Sequence, residues 1–76
     1  MDMKNTIDAR SLLCPLPVLK LRKRLKAVDP GDVVDLWADD PAAVIDVPHF
    51  CTEAGHDLIS KTEGAGYMIY RVRKQT

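Results

Sequence analysis

Two prolines, set two residues apart in SLLCPLPVLKLRKRLK (residues 11–26), constrain this chain more than any other feature. Neither Pro15 nor Pro17 has an N–H to give, so inside a helix each would remove a hydrogen bond and clash with the preceding turn. The first turn is the exception, because its N–H groups have no intrahelical partner. The stretch therefore predicts a helix over about 15–28, with Cys14 at or next to its N-cap. At about 100° per residue, Val18, Leu21, Leu25 and Val28 fall in one stripe, the expected buried face. Lys20, Arg22, Lys23, Arg24 and Lys26 spread over the remaining surface, and Asp29-Pro30-Gly31-Asp32 turns the chain.

The other elements follow from the same punctuation. Residues 5–9 read as a short strand with Ile7 and Ala9 on one face. Residues 32–38 alternate, Val34, Leu36 and Ala38 against Val33, Asp35 and Trp37, as a second strand. Asp39-Asp40-Pro41 reads as a helix start, with Asp40 as the cap and Asp39 in solvent. That helix runs to about Ala54, kinked or divided at Pro48, with Gly55 as its C-terminal cap. Residues 56–63 and 67–73 read as strands joined by a Gly64-Ala65-Gly66 hairpin turn. The expected fold is an α/β two-layer sandwich of order β-α-β-α-β-β. It has a four-stranded mixed sheet and both helices on one face. The opposite face is then open to solvent or a partner, with Trp37 either on it or packed at the domain edge.

Seventy-six residues make one domain, 1–76, with a single modest core and little room for a separate substrate cleft. Eleven acidic residues balance eleven basic ones, so bulk charge draws the chain to neither nucleic acid nor an acidic membrane. No apolar run approaches the roughly 20 residues of a membrane span. The start, MDMKNTIDAR, has no apolar leader, and a cytoplasmic protein is expected. Its two cysteines, Cys14 and Cys51, form no CxxC pair, which removes zinc-ribbon and thioredoxin-type readings. In a reducing compartment both are expected as free thiols, with Cys51 beside Phe50 in the core. His49, Cys51 and His56 match no zinc spacing, and neither a metal nor another cofactor is expected.

At a helix N-terminus the dipole and unpaired N–H groups favour a thiolate, so the sequence predicts a lowered pKa for Cys14. An acyl-transfer nucleophile would also want a histidine base. The candidates, His49 and His56, lie around the second helix, and sequence does not bring them to Cys14. A reactive thiol on a small domain without a cleft fits a carrier better than a self-contained catalyst. The basic face next to it reads as a solvated surface, a dock for acidic proteins, or an RNA-binding module assisted by Arg71, Arg73 and Lys74. Zero net charge and the lack of stacking aromatics in an RNA motif favour protein docking over direct nucleic-acid contact. A thiol-based regulatory module without group transfer is a further class.

The stretch Cys14-Pro15-Leu16-Pro17 resembles the CPxP motif of the TusA-type (SirA-like) sulfur-carrier family. Further matches are Asp8-Ala9, Arg22-Lys23, Pro30-Gly31-Asp32, Ala38-Asp39-Asp40-Pro41-Ala42 and Asp46-Val47-Pro48-His49-Phe50-Cys51. The resemblance covers about 7–74 of the chain. The resemblance implies a two-layer α/β fold and a cytoplasmic carrier of sulfane sulfur, held as a persulfide on Cys14. It implies a cysteine desulfurase or rhodanese-like sulfur donor. It also implies an acceptor in a relay serving tRNA thiolation, molybdenum-cofactor assembly or sulfur oxidation. The expected site is Cys14, with Pro15, Leu16, Pro17, Leu19, Lys20, Arg22 and Lys23 as the partner-docking surface. Two positions depart from the family pattern: Ser11, where glycine is common, and Leu16, where glutamate often stands.

Overall fold

In the computed structural model, which describes residues 5–75, six elements follow one another along the chain. They are β1 (Thr6–Asp8), α1 (Leu16–Ala27), β2 (Val33–Ala38), α2 (Ala43–Ala54), β3 (Asp57–Glu63) and β4 (Met68–Arg73). The expected order is therefore present, with β3 and β4 each starting one residue late. The sheet order is β1-β2-β4-β3. β1 runs parallel to β2, and β4 is antiparallel to both β2 and β3, so the sheet is mixed. The β1-α1-β2 and β2-α2-β3 connections thus link parallel strands and step the same way across the sheet. Right-handed crossovers of that kind lay both helices on one face.

One core fills the space between the layers. Ile7, Ala9, Val34, Leu36, Ala38, Tyr70 and Val72 come from the sheet side, and Pro17, Leu21, Leu25, Ala43, Val47, Phe50 and Cys51 from the helices. Each large apolar side chain among them contributes roughly 1.5–3 kcal/mol by leaving water. Pro17, expected on the docking surface, is fully buried. It lies one turn before Leu21, so its ring continues the apolar stripe, whereas Val18 and Val28 are only partly covered.

Two expectations for the second helix are corrected. Asp40 is not its N-cap: the helix begins at Ala43 after a tight turn in which the Ala43 N–H donates to the Asp40 carbonyl at 3.0 Å. Of the kink or division expected at Pro48, the division is absent: α2 is one helix across it. The carbonyl that Pro48 leaves unpaired belongs to Val44, an exposed residue of the first turn, where water can replace the missing donor. Gly55 closes the helix as expected, in the left-handed region at φ 79°, with its N–H on the Cys51 carbonyl.

The β3–β4 hairpin turns at Gly64, whose N–H donates to the Tyr67 carbonyl at 2.7 Å. A side chain there would meet the Tyr67 ring at 2.7 Å, which is why the position carries none. On the outer sheet face Trp37 is half-buried, its ring 5.5 Å from that of Tyr67 and 5.0 Å from the Arg10 guanidinium. Arg10 in turn grips Asp8 and, chiefly through that hydrogen bond, holds its carboxyl down to about 2.

Candidate functional site

Cys14 stands exposed immediately before Pro15, the N-cap of α1. The helix opens with the Leu16 N–H on the Leu13 carbonyl at 2.9 Å and the Leu19 N–H on the Pro15 carbonyl at 3.1 Å. The loop carrying the cysteine is held from across the fold by three aspartates. The Ser11 N–H donates to both carboxylate oxygens of Asp39, at 2.9 and 3.0 Å. The Cys14 N–H donates to Asp40 Oδ2 at 2.5 Å, while Asp40 Oδ1 takes the Ala42 N–H at 3.1 Å. The Cys14 S–H donates to Asp46 Oδ2 at 2.7 Å. Ser11 has φ 70°, in the left-handed region where glycine is at ease.

These contacts extend two local readings. Asp39 is exposed, as expected, and also accepts the Ser11 N–H, and Asp40 does more than cap a turn; both tether the cysteine loop. Sequence reasoning gave Asp46 no role, because its partner lies 32 residues away. The thiol itself is corrected. Asp46, accepting its hydrogen bond, pushes Cys14 above its ordinary pKa; desolvation and the charges of Asp46 and Asp40 act in the same direction. The helix terminus was expected to lower it, but the carboxylate bonded to the sulfur outweighs the helix dipole. Cys51, by contrast, is the inert core residue expected, its thiol pushed up to about 11 by burial.

Exposed apolar side chains stand on the elements that carry Cys14 and Asp46. Leu13 (71% exposed), Leu16 and Leu19 rise from the α1 side, and Ile45 (74% exposed) stands next to Asp46 on α2. A shallow cleft of about 340 Å³ runs from Cys14 between the helices, lined by Val18 and Arg22 of α1 and by Asp46, His49 and Glu53 of α2. The fold thus brings His49 into the same cleft as Cys14, while His56 lies at the far end of α2, its Nδ1 accepting the Gln75 N–H at 3.2 Å.

Lys20, Arg22 and Lys23 are exposed on α1, with the Arg22 guanidinium 5.5 Å from the Phe50 ring centre. Two of the cations at the C-terminal end, Arg71 and Lys74, are engaged locally. Arg71 holds its cross-strand partner Asp35 through two bonds of 2.9 and 3.0 Å, and Lys74 Nζ donates to the Val28 carbonyl at 2.7 Å. Trp37 packs against the Tyr67 ring and lies beneath the Arg10 guanidinium. Among the described residues no three of His, Cys, Asp and Glu converge to hold a metal ion, and no helix is long and apolar enough to cross a membrane.

Residues 5–74 match the family model described as Sulfurtransferase TusA. Among solved structures, a SirA-like protein from Desulfitobacterium hafniense superposes with a TM-score of 0.81 at 22% identity, covering 93% of this chain and 97% of that one. At that identity the likeness shows a shared fold.

Proposed function

The chain belongs to the TusA sulfurtransferase family, and we propose that it accepts sulfane sulfur as a persulfide on Cys14 and passes it to an acceptor protein in a sulfur relay. The observation that carries this reading is an exposed thiol at a shallow, open cleft, with exposed Leu13 and Leu16 next to it in the chain. Such a sulfur reacts within a site that a second protein completes.

In the accepting step the Cys14 thiolate attacks the terminal sulfur of a donor persulfide. A Cys14–sulfur bond forms, the donor's S–S bond breaks, and the donor leaves as a thiolate that takes up a proton. Delivery repeats the exchange, with Cys14 as the leaving thiolate. Each transfer moves one sulfur atom with no net oxidation, so no metal or redox cofactor is needed. The donor is a cysteine desulfurase or a rhodanese-like protein. The acceptor is a relay protein of tRNA thiolation, molybdenum-cofactor assembly or sulfur oxidation, working in the reducing cytoplasm where both thiols stay free.

Docking is assigned to Pro15, Leu16 and Leu19, joined by Leu13 and Ile45, with Lys20, Arg22 and Lys23 steering an acidic partner. Pro17 is withdrawn from this surface and holds α1 on the core instead.

Incubation with a cysteine desulfurase and cysteine, followed by intact-mass measurement, tests the reading. The protein is expected to gain one sulfur atom, removed by a reducing thiol; Cys14→Ser should gain none and Cys51→Ala should gain it as wild type does. Loading that persists in Cys14→Ser would defeat the assignment.

A further inference from the structure

The bond from the Cys14 S–H to Asp46 Oδ2 sets a carboxylate directly on the reacting sulfur. We propose that Asp46 restrains Cys14 in the free protein by keeping it as the protonated thiol, and that docking of a partner which draws off or neutralises this carboxylate releases the thiolate. The restraint takes its biological sense from the persulfide reading above, but its chemistry stands apart from that reading.

A carboxylate only accepts hydrogen bonds, so Asp46 can hold the thiol and has nothing to offer the thiolate. Ionising the sulfur would lose that bond and set two negative charges side by side. A general base would act in the opposite sense, pulling the proton away as Cys14 attacks. Reference acidities argue against it: a carboxylic acid at about 3.9 gives up its proton far more readily than a thiol at about 8.5, so the shared proton rests on sulfur.

The other charged groups around Cys14 come from both helices and the turn before α2. Asp40, bonded to the Cys14 N–H, adds negative charge. Glu53 lines the same cleft, as do His49 and Arg22, the last with its guanidinium over Phe50. A cation supplied by a donor or acceptor is the direct way to relieve Asp46. Because Cys14 is nucleophile in loading and leaving group in delivery, the same carboxylate slows both steps. A free carrier then neither picks up sulfur from stray persulfides nor loses it to stray thiols.

The test measures iodoacetamide alkylation against pH in a Cys51→Ala background carrying Asp46, Asp46→Asn or Asp46→Glu. Asp46→Asn is expected to lower the midpoint and raise the rate at neutral pH by roughly tenfold, the effect of losing one charge-assisted hydrogen bond. Asp46→Glu, which keeps the charge, should hold the midpoint above that of Asp46→Asn. In a parallel arm, inorganic polysulfide gives one sulfur to the Cys14 thiolate and is left one sulfur shorter; Asp46→Asn should load faster than wild type. An unchanged or higher midpoint in Asp46→Asn, or slower loading, overturns the restraint and, if slower, makes Asp46 a base. Should the midpoint fall as expected while no persulfide forms on Cys14, the restraint stands and the carrier reading falls.

Discussion

Replacing Asp40 by alanine removes the acceptor for two backbone N–H groups, those of Cys14 and Ala42, while the Asp40 carbonyl keeps its bond from Ala43. Hydrogen bonds to a charged acceptor contribute about 1.5–3 kcal/mol when sheltered, and neutral ones about 0.5–1.5 kcal/mol. Cys14 is exposed and Asp40 half-buried, so water recovers part of each bond, and the two together should contribute about 2 kcal/mol. For a domain of this size that loss lowers Tm by roughly 8–15 °C. Asp40→Asn, which keeps one acceptor oxygen, should fall about midway. Urea and thermal unfolding, followed by circular dichroism, give the values directly. A loss below about 0.5 kcal/mol in Asp40→Ala, at unchanged urea dependence, would refute the claim that this carboxylate tethers the cysteine loop.

Three further perturbations test separate parts of the structure. Ser11→Gly relieves a left-handed backbone that costs a non-glycine residue about 1–2 kcal/mol, part of which is offset by a looser unfolded chain. A net gain of roughly 0.5–1 kcal/mol in urea unfolding is expected, and a loss would contradict the turn geometry. The Tyr70 hydroxyl is buried without a hydrogen-bond partner among the described residues, so Tyr70→Phe should leave stability unchanged or raise it by up to about 1 kcal/mol. A clear loss in calorimetry would mean that the hydroxyl is satisfied. Finally, Lys20→Glu with Lys23→Glu should slow persulfide loading from a cysteine desulfurase most at low ionic strength, where charges about 10 Å apart are least screened. Leu16→Asp should slow it with little dependence on salt. Equal salt dependence of the two variants would remove the distinction between steering and contact.

The elements were legible because each is set by short-range pattern. The α1 stripe, the alternation in β2, Gly55 after α2 and the Gly64–Gly66 turn all declare themselves within a few residues. Pro17 is buried rather than on the docking surface, and its spacing to Leu21 carries that signal, because the ring continues the apolar stripe. The cysteine was legible from its flanking prolines, but its chemical state was not. That state depends on Asp40 and Asp46, which lie 26 and 32 residues away and are brought in by the β2–α2 connection. Read locally, Asp39 and Asp40 resemble ordinary helix-start residues and Asp46 an ordinary first-turn acid. Only tertiary structure converts them into the anchors of one loop.

A gain in mass alone does not separate a bound sulfur from two added oxygens, because a persulfide and a sulfinic acid are nominally of equal weight. Cyanide separates them. It takes the outer sulfur of a persulfide as thiocyanate and returns the cysteine as thiolate, whereas a sulfinic acid has no such sulfur to give. The decisive measurement is therefore cyanide treatment of the desulfurase-loaded protein, with thiocyanate counted against the mass lost from Cys14. Equal amounts of thiocyanate and restored Cys14 are expected, and neither in Cys14→Ser. Added mass that cyanide leaves in place, or thiocyanate that arises from Cys51, would contradict the carrier reading.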